Sequence, residues 1–450
     1  MKRIAFLLLA LISAAYVATA ATRPHYGGTL RVVMQSAPAT LELPGVNAPT
    51  DYWDMTRVLS LVGDNLVKID AEDRPQPALA LAWQHDSAAR HWQFTLRHGV
   101  KFHDGSPATA TAIAQILGAL HADWDVHAAA DSLIIDTDSP IPSLLAELAL
   151  PRNLIVTRNA SGVPVGTGPF RVVEFQPGKS LKLAASEDSW AGRPFLDAIE
   201  IEFGKSLRDQ ALALDLGRAD VIESAPQTAT AAPRSRTASS LSMELMALVF
   251  TTNSKAPDVH LRQALALSID RKPIQSVLLK GAGEPAACIL PNWMTGYSAA
   301  FATQVNVQRA KTLLADSHQP ALTLSYDPRD PQAQLIAERI ALNAREAGIT
   351  VQVSLSGADD IRLVRIALPN PDPALALREM ARQLALPQPV LHGNRVEDLY
   401  QAERALLDGD AVIPLFHLPV ASAAGARVHG WAPDQLGAWN LADIWLEDSR

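Results

Sequence analysis

The sequence predicts an α/β fold with more than one domain, and three observations support this. The chain has 450 residues, which exceeds the size at which a single hydrophobic core stops growing. Three segments with apolar residues at helical spacing each end at a glycine and lead into an apolar, strand-like stretch. Elsewhere, polar and apolar residues alternate around turn residues, which is typical of hairpins.

The three helix-to-strand units lie far apart in the chain. SLRDQALALDL ends at Gly217 and precedes ADVIE, PQAQLIAERIALNAREA ends at Gly348 and precedes ITVQVSL, and VEDLYQAERALLD ends at Gly409 and precedes AVIPLF. Glycine can take the left-handed conformation of a helix C-cap. Repeated units of this kind predict α/β architecture with mostly parallel pairing inside each unit. A hairpin is predicted where FRVVEFQPGKSLKLAAS alternates on both sides of its Pro-Gly turn.

The stretch Leu96–Ala110, LRHGVKFHDGSPATA, concentrates residue types that also occur in catalytic sites. Alternating strand patterns flank its His-Gly pair, an Asp-Gly pair follows, and a helical run begins at its Ser-Pro pair. His98 and His103 then fall at strand ends and Asp104 in a turn. We interpret the stretch as scaffolding, because no partner for acid–base chemistry is visible beside either histidine.

The first twenty residues have the pattern of a secretory signal peptide. Lys2 and Arg3 precede the apolar run IAFLLLALISAAYVA, and small residues stand at the −3 and −1 positions of a cleavage site after Ala20. The run is short for a membrane span. The sequence has no cysteine near the cleavage point, so a lipoprotein is not predicted. We expect a periplasmic protein with its signal removed.

Composition and charge exclude several classes of protein. With 48% hydrophobic and 19% charged residues, the chain is neither disordered nor a multi-span membrane protein. Its 47 acidic and 39 basic residues give a formal charge of −8, which becomes −10 once Lys2 and Arg3 are removed. No basic face is evident, so no nucleic-acid partner is expected. Cys288 is the only cysteine, so an internal disulfide is excluded.

Motifs of the common enzyme classes are missing from the sequence. GxSxG and HExxH do not occur, and the GKS that resembles a phosphate loop has Val173 where that loop requires glycine. His121 and His127 are six positions apart, which is poor spacing for one helix face. A metal site there would need ligands from elsewhere in the chain. We therefore predict a protein that is not an enzyme and that has no catalytic residues, cofactor or metal site.

Five segments together carry a resemblance that covers most of the mature chain. They are LVGDNLVKID with PQPALALAWQHDSAARHWQFTLRHGVKFHDGSPATATAI, VGTGPFRVVEFQPGKSLKL, TTNSKAPDVHLRQALALSIDRKPIQSVLLKG, DIRLVRIALPNPDP, and VEDLYQAERALLDGDAVIPLF. In this order they resemble the bacterial extracellular solute-binding proteins of family 5. These proteins are the peptide- and nickel-type receptors of ABC importers.

The resemblance implies a fold. It is the two-lobe clamp of periplasmic binding proteins, type II-like and of cluster C, here as a compact variant with a small inserted subdomain. Crossing strands near Val249–Asn253 and Leu418–Ala423 would form the hinge, and the lobes would close on a solute. The implied division of the mature chain is residues 21–44, 164–250 and 420–450 for lobe I, 45–163 for the inserted subdomain, and 251–419 for lobe II.

The resemblance also implies ligand-binding residues. Peptide-binding members carry a motif similar to W-x-x-D-Y-P-D-P whose aspartate binds the ligand's α-ammonium, and Asp372 falls on that position in IALPNPDP. The alternative is that Asp372 only orders a turn. The motif's tryptophan is replaced by Ile366 and its tyrosine by Asn370, and Arg365 stands where a small residue is usual. Arg365 would favour an anion if it faces the cleft.

The full set of expected ligand-binding residues is Asp372, Asn370, Arg365, Trp293 and Asn47. A tryptophan exposed in a cleft can stack on a solute.

The resemblance implies a function as well. It is that of a periplasmic component of an ABC importer, which binds a small solute between its lobes and delivers it to an inner-membrane permease. The solute would be a peptide or another amine-bearing or small polar ligand, and a monomer is expected. An alternative is a degenerate clamp that acts as a sensor or interaction module. The lost aromatics and the short segments after Gly105 and Asp372 favour that alternative.

Overall fold

The structure is a computed structural model, and it does not describe every residue. The predicted signal peptide and Asn47 lie outside the described residues. Those described are residues 23–42, 52–70, 74–224, 235–251, 254, 258–302, 304–315, 320–330, 332–355, 359–368, 370–391, 395–433 and 435–447.

Strands and helices alternate along the described chain. The strands are β1 (Thr29–Val33), β2 (Val67–Ile69), β3 (Pro75–Pro77), β4 (Ala80–His85), β5 (His91–Leu96), β6 (Trp124–Ala129), β7 (Ser132–Thr137), β8 (Val156–Arg158), β9 (Pro164–Gly166), β10 (Phe170–Gln176), β11 (Ser180–Ala185), β12 (Ala198–Glu202), β13 (Val221–Ser224), β14 (Ser235–Phe250), β15 (Glu284–Pro285), β16 (Leu322–Tyr326), β17 (Val351–Ser354), β18 (Ile361–Ala367), β19 (Val412–Gly425), β20 (Val428–His429) and β21 (Trp445–Leu446). The helices are α1 (Tyr52–Val62), α2 (Ala110–Leu120), α3 (Leu144–Leu148), α4 (Leu207–Asp215), α5 (Val259–Ser268), α6 (Val307–Leu313), α7 (Ala333–Glu346), α8 (Pro373–Gln383) and α9 (Val396–Leu407). Short helical turns cover Pro151–Asn153, Arg271–Pro273, Ile274–Leu278, Asn292–Thr295, Ser298–Ala300 and Leu441–Asp443. Among the described helices, none combines the length and the apolar character that a membrane span requires.

One mixed sheet of 11 strands passes through the molecule in the order β10-β11-β12-β1-β13-β19-β14-β18-β16-β17, and β15 pairs with β19. Parallel pairs form two groups, β12-β1-β13 and β17-β16-β18. The antiparallel strands β19 and β14 join the groups. The predicted α/β fold is confirmed. The expectation of parallel pairing holds where α4 leads to β13 and where α7 leads to β17, but not for β19, which is antiparallel to all three of its partners.

The strands β14 and β19 cross from one parallel group to the other. Their pairing starts at Ser235 with Gly425 and ends at Val249 with Val412. The predicted crossing segment Leu418–Ala423 lies in this ladder opposite Thr237–Glu244. Of the other predicted segment, Val249 pairs with Val412, and residues 252–253 lie outside the described residues. The lobe boundaries given above stay a prediction.

Strand β14 is buried on both faces at its carboxyl end. Met246 and Leu248 pack into a core with α5 and α7. Leu245 and Ala247 pack into another core with α8 and α9. Successive side chains of a strand point to opposite faces, so one strand serves two cores. A third core packs β1, β11 and β12, and a fourth packs residues between Leu66 and Val165.

The stretch Leu96–Ala110 is scaffolding, as predicted. Its glycines adopt left-handed φ angles of 73° at Gly99 and 87° at Gly105, and the Asp104 carboxylate accepts from the Ser106 N–H at 2.9 Å. The helix begins at Ala110 rather than at the Ser-Pro pair. The Thr109 side chain caps it by accepting from the Ala112 N–H at 3.2 Å.

His103 holds the segment that follows β9. Its Nε2 lies 2.9 Å from the Gly168 carbonyl, and its Nδ1 lies 3.3 Å from the Gly166 nitrogen. The Gly166 N–H donates, so the proton of a neutral ring resides on Nε2. Burial lowers the pKa of His103, which keeps the ring in this neutral form near neutral pH.

The backbone at Gly168 approaches helix α1 too closely for a side chain. A Cβ at this position would lie 2.6 Å from the Leu61 carbonyl oxygen. We expect Gly168→Ala to lower the free energy of unfolding by about 1–3 kcal/mol, because backbone atoms on both sides must shift. The measurement is urea unfolding followed by circular dichroism.

Gly118→Ala is the matched control for Gly168→Ala. In α2 its Cβ would meet nothing closer than the Val126 Cβ at 3.9 Å. It should raise the free energy of unfolding by about 0.4–1 kcal/mol, because alanine reduces the entropy of the unfolded chain. Equal effects from the two substitutions would contradict the close approach at Gly168.

Candidate functional site

The carboxyl ends of both parallel groups meet at the middle of the crossing strands. Ser224, the last residue of β13, pairs with Ala421, and Ala421 also pairs with Ser239 of β14. Ala367, the last residue of β18, pairs with Glu244 of β14. Ligands of open α/β sheets bind outside the carboxyl ends of the strands. This position therefore marks the candidate binding site.

Six charged side chains gather there, and we call them the junction cluster. They are Asp54, Arg57, Glu223, Glu244, Asp330 and Arg365.

Arg57 organises the half of the cluster that belongs to α1 and β13. Its Nη1 lies 3.3 Å from Asp54 and 3.8 Å from Glu223, and its Nη2 donates to the Gly437 carbonyl at 3.2 Å. The guanidinium stacks over the Trp439 ring at 4.4 Å. Arg57 is 6% exposed, so its charge is held in place by packing on all sides.

Glu223 is the carboxyl group that β13 contributes to this half. Its Oε2 accepts from the Gln35 N–H at 2.5 Å and from the Gln210 amide at 3.1 Å. Burial, with the Asp54 carboxylate beside it, raises the pKa of Glu223 to about 8, although Arg57 opposes the change. Burial therefore favours the protonated form of Glu223.

Arg365 organises the other half of the cluster. Its Nε lies 2.9 Å from Asp330, its Nη1 3.7 Å from Glu244, and its Nη2 3.3 Å from the Gln332 side-chain oxygen. Burial raises the pKa of Glu244, and Arg365 only partly offsets this. The charge of Arg365 is balanced by these carboxylates, so the expected preference for an anion does not follow from its position.

Gln35 connects the two halves. Its backbone N–H donates to Glu223, and its side-chain amide donates to the Arg329 backbone carbonyl in the segment after β16. Arg329 in turn forms an ion pair with Asp327 at 2.8 Å. Gln35, in the segment that follows β1, thus contacts both parallel groups.

The junction cluster contains more carboxyl groups than guanidinium groups. Its four carboxylates face two guanidinium groups, which leaves two negative charges when every group is ionised. Burying a carboxylate without a counter-ion is costly. A cluster of this composition attracts a cation or retains protons. Its four acids are far apart in the sequence, and sequence reasoning missed them.

Asp372 and Asn370 lie together and hold backbone. Asp372 is the N-cap of α8, where its Oδ1 accepts from the Leu375 N–H at 2.9 Å. Asn370 accepts from the Asp372 N–H at 2.7 Å and donates to the Ala146 carbonyl of α3 at 3.3 Å. These bonds agree with the alternative that Asp372 orders a turn.

The remaining expected ligand-binding residues are separate from that pair. Trp293 is 37% exposed and donates from Nε1 to the Ser242 carbonyl of β14 at 3.1 Å. It therefore contacts the crossing strand two positions from Glu244. Asn47 lies outside the described residues. Of the five, Arg365 is the one that the structure places within the junction cluster.

A second group of reactive residue types is sealed in the interior. Cys288 is 0% exposed, and burial raises the pKa of its thiol to about 12. Burial also raises the pKa of Glu403 to about 7 and lowers that of His417 to about 4. Glu403 accepts from the Leu290 N–H at 3.0 Å. A protonated thiol without solvent access is no nucleophile, so this group is structural.

The raised pKa of Glu223 predicts how stability depends on pH. The folded state binds a proton that the unfolded chain loses near 4.5, so stability should fall as the pH rises from about 4.5 to about 8. We expect Glu223→Gln to flatten this decline and to stabilise the protein at pH 8 by on the order of 1 kcal/mol. Urea unfolding at pH 5 and pH 8 measures it.

Glu200→Gln is the control for Glu223→Gln. Glu200 lies in β12 of the same sheet with its side chain 50% exposed. This substitution should leave the pH profile unchanged. A Glu223→Gln variant that keeps the wild-type decline would contradict the assignment.

Known proteins resemble this chain in sequence and in fold. The nickel-binding protein NikA of Staphylococcus aureus is 24% identical over 322 residues, which cover 66% of this chain and 65% of that protein. The nickel-binding periplasmic protein of Escherichia coli is 28% identical over 352 residues, which cover 67% and 66%. The chain thus matches less than two thirds of the length of these relatives.

Solved structures confirm the predicted two-lobe fold. The crystal structure of Staphylococcus aureus NikA in complex with Ni(L-His)2 has a TM-score of 0.79 at 19% identity and covers 93% of this chain and 98% of that one. The oligopeptide-binding protein AppA of Bacillus subtilis, in complex with a nonapeptide, has a TM-score of 0.76 at 18% identity, with 95% and 100% covered. Residues 74–365 match the profile of bacterial extracellular solute-binding proteins, family 5 Middle. The resemblance found in the sequence is confirmed, and the chain belongs to the bacterial extracellular solute-binding proteins of family 5.

Proposed function

We propose that this protein is the periplasmic solute-binding component of an ABC importer. It binds a small cationic solute at the junction cluster and passes it to an inner-membrane permease, as a monomer and without covalent chemistry. The observation that carries this proposal is the excess of carboxylates where the carboxyl ends of both parallel groups meet. A ligand bound there contacts both halves of the junction cluster, so ligand binding is coupled to closure of the clamp.

Family membership leaves the class of solute open. The names of relatives include nickel-binding proteins and a probable D,D-dipeptide-binding periplasmic protein of Escherichia coli. The charge of the site favours one class over the others. Four carboxylates against two guanidinium groups disfavour an anion, and a cationic group supplies the charge that burial of Glu223 and Glu244 leaves missing.

The raised pKa values couple binding to pH. Glu223 and Glu244 have pKa values raised by burial, and a cation binds best to their ionised forms. Binding therefore releases protons, and the affinity for a cation should increase as the pH rises from about 6 to about 8. A neutral ligand would show no such dependence.

The first experiment identifies the ligand class. Native mass spectrometry of the gently purified protein, compared with the denatured sample, reveals a bound solute by its mass. Calorimetry then measures binding at pH 6 and pH 8 for short peptides with free or acetylated N-termini and for amines. Cationic solutes should bind more tightly at pH 8. Tighter binding of anionic solutes would contradict the site's charge, and no binding or closure with any solute would favour the sensor alternative.

Glu244→Gln tests the junction cluster directly. We expect it to weaken binding of a cationic solute about 10-fold or more, equivalent to about 1.4 kcal/mol, because the ligand loses a desolvated counter-charge. Glu200→Gln, exposed on β12, should leave the affinity unchanged. Unchanged affinity in Glu244→Gln would place the ligand elsewhere.

Two substitutions separate the roles of Asp372. Asp372→Ala removes the cap of α8 and should cost about 0.5–2 kcal/mol of stability, whereas Asp372→Asn keeps a capping oxygen and costs less. We expect Asp372→Asn to retain ligand affinity, because its Oδ1 already serves the helix. Thermal unfolding and calorimetry measure both effects. Weaker binding by Asp372→Asn at unchanged stability would instead assign Asp372 to the ammonium group.

A further inference from the structure

Two histidines and two aspartates share the solvent face of the four-stranded sheet β4-β5-β7-β6. His91 of β5 pairs with Asp136 of β7, and Asp136 pairs with Asp125 of β6. His127 lies two residues beyond Asp125, on the same face of the strand. We call these four residues the sheet-face group. They are remote in sequence from the residues of the junction cluster.

The donor atoms of this group are close together. One ligand atom each from Asp125, His127 and Asp136 lies within 4.8 Å of the others. His91 Nδ1 is 2.7 Å from the Asp136 carboxylate, and His127 Nδ1 is 3.6 Å from that of Asp125. The opposite face of the sheet is anchored by buried Trp92, so the backbone that carries the group is fixed.

The arrangement is unfavourable without a cation. Asp125 and Asp136 stand directly opposite each other on paired strands, where like charges destabilise a sheet. In the described part of the chain, the ion pairs formed by these two carboxylates are with His127 and His91.

We propose that Asp125, His127 and Asp136 bind one divalent transition-metal ion of the zinc or nickel type. His91 would orient the Asp136 carboxylate through the contact from its Nδ1. Imidazole combined with carboxylate suits these ions better than magnesium or calcium. Bond lengths of about 2.0–2.2 Å would bring the donor atoms to roughly 3.4 Å from one another. The side chains of Asp125 and His127 are 77% and 49% exposed, so they are free to rotate inward. Water completes the coordination on the open side.

The sequence already set a condition for metal binding at His127. His127 could hold a metal only with ligands from elsewhere in the chain, and the β6-β7 pairing brings Asp136 to it. This inference is independent of the proposed solute-binding function.

Zinc titration of the chelator-treated protein tests the proposal. Calorimetry at pH 7.5 should show one Zn²⁺ per chain, and Mg²⁺ should not compete. We expect His127→Ala to weaken Zn²⁺ binding at least 10-fold.

His260→Ala is the matched control. His260 also lies two residues after an aspartate, with Nδ1 3.3 Å from Asp258, but it belongs to no described group of three metal-binding side chains. Its replacement should leave the zinc affinity unchanged.

Further variants distinguish zinc binding at this site from zinc binding elsewhere, and loss of zinc from loss of the fold. Asp125→Asn preserves side-chain volume and should lose Zn²⁺ while the metal-free protein unfolds no earlier than wild type. Glu244→Gln, in the junction cluster, should bind zinc as wild type does. Equal binding by wild type and His127→Ala, loss only in Glu244→Gln, or no binding by wild type would each overturn the proposal.

Discussion

The antiparallel pairing of β14 with β19 is the interaction on which the rest of this structure depends. It is the one described ladder that joins the two parallel groups of the central sheet. Its register shifts between Ser239 and Glu244, close to where β13 and β18 end. A shifted ladder has fewer regular hydrogen bonds and bends more easily. We infer that the same short segment is both the flexible point of the clamp and the floor of its binding site.

This geometry imposes an electrostatic cost. Where the carboxyl ends of the two strand groups approach each other, Glu223 of β13 and Glu244 of β14 are removed from water. Glu223 and Glu244 respond with raised pKa values, and Arg57 and Arg365 offset only part of the charge. A protein selected for stability alone would favour apolar residues at such a place. Local conflicts of this kind are expected at functional sites, and here the conflict is relieved by the cation that the site is proposed to bind.

The sequence predicted local features well and spatial ones poorly. Helix-to-strand units, the hairpin turns and the scaffold role of Leu96–Ala110 follow from neighbouring residues, and they are present. The family resemblance supplied the lobes. The junction cluster was out of reach, because Asp54 of α1 and Asp330 after β16 come near Glu244 of β14 only in the folded chain. The start of α2 was misplaced because a threonine cap competed with a Ser-Pro pair.

The residues of the cleft motif have structural roles in this chain. Ile366, in the place of the family's tryptophan, is 1% exposed and packs in the core with Leu245. Asn370, in the place of the tyrosine, is 4% exposed and braces the loop against Ala146. One carboxylate oxygen of Asp372 caps the N-terminus of α8. Side chains that pack in the core or cap a helix have fewer atoms left to contact a solute. We infer that this compact clamp keeps the motif as a brace and selects its ligand through the carboxylates at the strand ends.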